Sequence, residues 1–302
     1  MTKQHLSWSQ LSKLSCLKRY EHEYIKNLQP IQFSPALNFG KYFHMGVEHI
    51  NNGGMDIDSI GDIIDTIDTS SFNQEDFDKL DWMKTVVIAM LYGYYKHFYL
   101  VDKDDGIEIL EAEQEYMYPI QKPNSKYKHR QYEYNFISDM VYKNKKGEIW
   151  IVEYKTTSRL GSGYFDRLTI DGQGKGMAYY LQKEFNQPIT GISYRIMKKP
   201  SIRQKKSESR REFMTRLSHI FEEQAEDYFI EKKVFIDQND LQSWAKDLWD
   251  QTKLVTFIKK NNIFPKDTSK CSILNCPFIP LCSNQANAEV LYKQKEVRLC
   301  QK

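Results

Sequence analysis

Asp139, Glu153 and Lys155 are the residues of this chain whose types and spacing most invite chemistry. They stand in "ISDMVYKNKKGEIWIVEYKTT", residues 137–157, as one acid followed by an acid-x-Lys. Two carboxylates side by side repel, and burying them requires a cation or a shared proton. Hard cations such as Mg²⁺ and Mn²⁺ take carboxylates together with water and phosphate oxygens. A lysine beside such a pair suits orienting an attacking water or offsetting the charge of a pentavalent phosphate. The plainer alternative for the same residues is a surface hairpin with an ordinary cross-strand salt bridge.

The elements that must position these side chains follow from local pattern. Residues 149–154 are apolar and β-branched around one acid, which suits a strand buried on both faces. Gly147 fits the left-handed position closing a three-residue loop, Lys145-Lys146-Gly147. In that register Asn144 pairs with Glu148 and Asp139 falls opposite Glu153, while Lys155, two residues on, shares their face. Apolar spacing predicts helices over 6–28 and 36–51, and a strongly buried one over 81–100, with loops or a short lid-like helix over 53–79. Strands follow over 107–120, then the hairpin, a helix over 171–186, a strand over 189–199, and two long helices near 208–233 and 240–261. Strands at the centre with helices before, between and after imply an α/β core in helical decoration.

Two of these helices carry further candidates. "GKYFHMGVEH" sets His44 and Glu48 four residues apart on one face, and an imidazole at a metal site suits Mn²⁺ or Fe²⁺ better than Mg²⁺. Alone, His44 reads as an ordinary helix-surface histidine. Gln173, after Asp171 and Gly172, suits hydrogen bonding to a phosphate or base edge, or capping of its own helix.

Bulk composition bounds the class. The 302 residues are 40% hydrophobic and 27% charged, as expected of one large globular domain or two intimate ones. No run approaches the roughly 20 apolar residues of a membrane span, and the N-terminal "MTKQHLSWSQLSKL" has no apolar signal-peptide core. The expectation is a cytoplasmic protein of a bacterial, archaeal or phage-infected host cell. A net charge of +3 makes anion binding a local matter. The strongest local basic run is 198–211, "KKPSIRQKKSESRR", read as a mobile segment.

Five cysteines, an odd number crowded toward the C-terminus, argue against a disulfide scaffold. "KCSILNCPFIPLCSNQ" supplies Cys271, Cys276 and Cys282, three thiols that point to metal or cluster ligation. Cys16 and Cys300 compete for the fourth position. Zinc and a [4Fe–4S] cluster both accept four thiolates, and the absence of paired C-x₂-C knuckles favours the cluster.

Taken in order, these motifs resemble the RecB-like branch of the PD-(D/E)xK nucleases, especially iron–sulfur CRISPR-associated and AddB-type exonucleases and phage relatives. "SWSQLSKLSCLKRYEHEYI" is similar to the family's opening helix with its cluster cysteine, which assigns Cys16 beside Cys271, Cys276 and Cys282. "GKYFHMGVEH" looks like the G-x₃-H-x₃-E helix that supplies a metal-ligand histidine, here His44. "ISDMV" and "VEYKT" match the second and third motifs, so the resemblance implies metal-binding and catalytic roles for Asp139, Glu153 and Lys155, with the Tyr154 carbonyl as a further ligand. "DGQGKGMAYY" is similar to the Q-x-x-x-Y helix and gives Gln173 an active-site role. Four residues separate Cys271 from Cys276, wider than the two usual in the family.

The resemblance implies a restriction-endonuclease-like mixed sheet flanked by helices. It implies a single nuclease domain over 1–302: a helical part to about residue 100, a catalytic core over 101–200, and a helical part over 201–302, the ends joined by the cysteine-ligated cluster. It further implies a Mn²⁺- or Mg²⁺-dependent exonuclease with possible endonuclease activity, acting on DNA, single-stranded by preference, with helicase, recombination or CRISPR proteins as partners. Lys198, Lys199, Arg203, Lys205 and Lys206 would then follow the phosphate backbone. The competing expectations are a non-catalytic nucleic-acid-binding subunit of a recombination or CRISPR complex, and a zinc-binding structural protein.

Overall fold

The computed structural model describes residues 3–32, 34–54, 56–67, 69–70, 72–273 and 276–295; Cys300 lies outside the described residues. Eight strands occur among them: β1 (Gln4–Leu6), β2 (Leu28–Pro30), β3 (Glu108–Gln121), β4 (Lys128–Lys143), β5 (Ile149–Thr157), β6 (Ile189–Lys198), β7 (Phe229–Phe235) and β8 (Tyr292–Gln294). The chain divides into two compact units, one of residues 1–33, 117–136 and 242–302, the other of residues 34–116 and 137–241. Helices and a mixed sheet give the α/β, restriction-endonuclease-like architecture expected. No helix among the described residues is long and apolar enough to cross a membrane.

The second unit is built on β5. This strand pairs antiparallel with β4 and parallel with β6, and β6 pairs antiparallel with β7. Met140 faces Val152 and Lys143 faces Ile149, and the Asn144 amide donates to the Glu148 carbonyl, so the hairpin has the register its turn residues dictate. Gly147 adopts φ 79°, the left-handed geometry that residues other than glycine reach only with strain. The first six residues of β5 are all buried. Helices cover both faces. Tyr154 points toward helices Pro35–Asn51 and Gln74–Tyr94, where its hydroxyl meets Tyr94 Oη at 2.9 Å and accepts from Asn51 Nδ2 at 3.1 Å. Glu153 and Lys155 point the other way, toward helix Gly172–Glu184.

A buried ion pair ties this unit together. Arg195 on β6, 2% exposed, donates through both terminal nitrogens to Asp102, at 2.6 and 2.7 Å. The planar guanidinium also lies 4.8 Å from the Phe98 ring centroid.

The first unit carries both ends of the described chain. β1 runs parallel to the beginning of β4, and β2 pairs antiparallel with β8. The single helix predicted over 6–28 is a string of short turns, Trp8–Leu11, Ser12–Ser15, Leu17–Tyr20 and Glu21–Ile25, interrupted at Cys16, whose φ of −140° is extended.

Two further expectations are corrected. The helix predicted over 208–233 ends at Tyr228, and residues 229–235 form β7, because the open edge of β6 offers a full ladder of backbone partners. Segment 198–211, read as mobile, is tethered: Trp82 Nε1 donates to the Ile202 carbonyl, Arg216 donates to Glu208 and to the Arg203 carbonyl, and Ser209 with Glu212 forms a capping box.

Removing one partner of a buried ion pair leaves the other charged and desolvated. Asp102→Ala should therefore cost about 3–5 kcal/mol in urea unfolding, whereas the apolar pair Asp102→Leu with Arg195→Met should recover most of it.

Candidate active site

Four elements of the second unit, β3, β4, β5 and helix Pro35–Asn51, bring acids and a histidine together. Asp139 on β4 and Glu153 on β5 are 7% and 3% exposed. His44, on helix Pro35–Asn51, reaches Asp139 Oδ1 with Nδ1 at 3.5 Å and Glu113 Oε1 at 3.9 Å. One ligand atom from each of His44, Glu113 and Asp139 lies within 4.8 Å of the others. The second Asp139 oxygen accepts the Tyr154 amide at 2.8 Å, which fixes the carboxylate's rotation.

Glu153 anchors a second group. Its Oε1 accepts from Lys155 Nζ at 2.6 Å and from Gln173 Nε2 at 2.8 Å, and Lys155 also donates to Gln173 Oε1 at 3.1 Å. Gln173 is placed by the start of its helix. Asp171 caps it by accepting the Gln173 amide at 3.2 Å, and Tyr194 Oη donates to Asp171 Oδ2 at 3.1 Å. Gly174 lets this helix sit close to β6, since a Cβ there would lie 2.2 Å from Ile192 Cδ1 and 2.7 Å from Tyr194 Oη.

The electrostatics follow from crowding. Burial, then the charge of Asp139, pushes the Glu153 carboxyl up to about 7 against the pull of Lys155. Burial likewise raises Glu113. Burial disfavours a charged His44, but hydrogen bonding to Asp139 and Glu113 overrides it and raises the ring to about 10. Burial also opposes a charged Lys155, and Glu153 outweighs it, so Lys155 is held firmly as an ammonium.

A divalent cation fits the donors present. Glu153 Oε2 is buried and accepts no hydrogen bond, and the buried Glu113 Oε1 faces the His44 ring at a long 3.9 Å, an arrangement costly in a dry site without a cation. One histidine nitrogen with carboxylate oxygens is a donor set for Mn²⁺ or Mg²⁺. Asp139, Glu153, Lys155, Gln173 and His44, all singled out from sequence, therefore converge, and the charge of Glu48 contributes to raising Glu113.

Glu113 was not legible. Glu111, Glu113 and Glu115 alternate along β3 with nothing in the spacing to choose among them. Glu113 is distinguished by φ 49°, a left-handed break inside a strand, where strain of about 1–3 kcal/mol is typical of functional positions.

The five basic residues divide in two. Lys198 and Lys199 lie against the Tyr228 and Phe39 rings, at 5.6 and 4.6 Å from the centroids, while Arg203, Lys205 and Lys206 are exposed. In the first unit, Cys16, Cys271, Cys276 and Cys282 are all half-buried and reduced. Burial first, then the neighbouring Cys276, Cys16 and Cys271, raises the Cys282 thiol. No three of these sulfurs lie within 4.8 Å of one another, whereas tetrahedral zinc requires about 3.8 Å.

Comparison with known proteins gives the family. The family profile of the PD-(D/E)XK nuclease superfamily matches residues 5–283. The chain belongs to the PD-(D/E)XK nuclease superfamily. Among solved structures it is similar to a provisionally assigned exonuclease from Eubacterium rectale, at 11% identity and a TM-score of 0.50, over 94% of this chain and 93% of that one. A weaker likeness, to SSO0001, has 10% identity and a TM-score of 0.33 over 84% and 78% of the two chains. No curated protein matches.

If Glu113 is a ligand, Glu113→Gln should weaken Mn²⁺ binding by calorimetry at least about 10-fold without unfolding the protein. Because the ion must displace the His44 proton, Mn²⁺ affinity should rise as pH is raised from neutrality toward about 10.

Proposed function

We propose that this nuclease-superfamily chain is a metal-dependent DNA exonuclease of the RecB-like branch, acting on single-stranded DNA in recombination, repair or phage DNA processing. The observation that carries the reading is the convergence of His44, Glu113 and Asp139 beside a buried, unbonded oxygen of Glu153. These residues, with the Tyr154 carbonyl as a further donor, would hold Mn²⁺ or Mg²⁺. When bound, the ion supplies Lewis acidity at the scissile phosphate and charge stabilisation for the departing 3′ oxygen.

The remaining steps belong to the chain. Lys155, an ammonium held by Glu153 and Gln173, donates a hydrogen bond rather than accepting a proton, so it orients the attacking water or a phosphate oxygen. Gln173 fixes Lys155 and Glu153 relative to each other. Water adds to phosphorus and gives a proton to solvent, while the bond to the 3′ oxygen breaks and that oxygen takes a proton from solvent. The exposed Arg203, Lys205 and Lys206 would follow the strand's phosphates, with Lys198 and Lys199 at its inner edge. A helicase, recombination or CRISPR protein is the natural source of an unwound strand.

The four cysteines are assigned to a [4Fe–4S] cluster of structural role. What supports this reading is the sequence pattern, three cysteines within twelve positions without paired C-x₂-C knuckles, and the electrostatic influence of Cys16, Cys271 and Cys276 on the Cys282 thiol.

Purified protein with Mn²⁺ should digest end-labelled single-stranded DNA, and Glu153→Gln or Lys155→Ala should slow it by about 100-fold or more. Equal digestion by wild type and variants would sink the assignment. Anaerobically prepared protein should absorb near about 400 nm and lose that band in Cys282→Ala; a colourless, folded, zinc-loaded sample would overturn the cluster.

A further inference from the structure

Beside Lys155 lies a cavity of about 220 Å³ lined by Lys155, Tyr164, Arg167, Leu168 and Asp171. Its far wall is the short helix Tyr164–Thr169, entered through Gly163 at φ 74°. The two charged groups nearest the reacting centre are already engaged. Lys155 is held by Glu153 and Gln173, and Asp171 accepts from the Gln173 amide and Tyr194 Oη. Arg167 is different: it is exposed, and among the described residues its guanidinium makes no hydrogen bond or ion pair. Its contact is with Tyr164, whose ring centroid lies 6.0 Å away. Tyr164 is half-buried, and its ring is braced edge-on by Phe165 at 5.7 Å and 81°.

A braced aromatic ring and an uncommitted guanidinium are the two groups that bind one nucleotide unit, the ring by stacking a base and the guanidinium by contacting a phosphate. The cavity is smaller than the roughly 300–1,000 Å³ of drug-sized pockets, which suits a single nucleotide and not a base pair. We propose that Tyr164 and Arg167 form a subsite for the nucleotide adjoining the scissile phosphate, Tyr164 stacking its base and Arg167 contacting its outer phosphate. The subsite rests on the nuclease reading of the same site and deepens it. A base inside a duplex is stacked on both faces, so this subsite takes a single strand or a frayed end.

The test uses the full chain with Mn²⁺ and labelled single-stranded oligonucleotides, some carrying one abasic position at successive distances from the cut. Tyr164→Ala should raise KM about 10-fold, while Tyr164→Phe stays near wild type. At one position the abasic substrate should impose a similar loss on the wild type and no further loss on Tyr164→Ala. Arg167→Ala should lower the slope of log KM against log salt by about 0.7, with kcat changed less than about twofold. Wild-type KM and salt slope in both folded alanine variants, with Glu153-dependent cleavage intact, overturn the subsite alone. A wild type that cleaves no faster than Glu153→Gln overturns the nuclease reading and the subsite with it.

Discussion

Repulsion among Glu113, Asp139 and Glu153 is the constraint that organises this protein. Asp139 and Glu153 are almost wholly enclosed, and burial raises both Glu113 and Glu153. Each answering group is a donor or a cation: the Tyr154 amide on Asp139, the His44 ring between Asp139 and Glu113, and Lys155 with Gln173 on Glu153. Without a metal, the proton on His44 carries the positive charge the acids demand. A dication held by the same residues would take the place of that proton, one cation exchanged for another.

That compensation depends on elements far from the acids. Tyr154 presents its amide to Asp139 from a strand paired on both sides, and its ring is held by Tyr94 and Asn51 on the other face of the sheet. The neighbouring strand contributes Arg195 in register with Tyr154, and Arg195 is itself fixed by Asp102. Gln173 depends on Asp171, and Asp171 on Tyr194. The chemistry sits on one face of β5, and its positioning is secured from both.

Where local rules decide, the sequence was readable. The hairpin register followed from Gly147 and the alternation of β5, and His44 followed from its helix. Where tertiary context decides, it was not. "FIEKKVF" continues the spacing of the helix before it, yet becomes β7 because β6 has an edge to fill and Phe229 packs against His97 and Phe221. Glu113 is chosen over Glu111 and Glu115 by a left-handed backbone angle that no spacing announces. Cys16 was identified by type, but its place at a break between two short turns was hidden inside an apparently continuous helix.

The turn Lys145-Lys146-Gly147 has a consequence for how such a chain can change over evolutionary time. Side chains alternate along a strand, so one residue added between the paired part of β4 and β5 would carry Val152 to the place of Glu153 and turn both acid and lysine into the opposite layer. No graded loss is available there, and no compensating substitution restores three side chains at once. The five residues from Asn144 to Glu148 therefore carry a parity that the lineage must keep for the acids and the lysine to share one face.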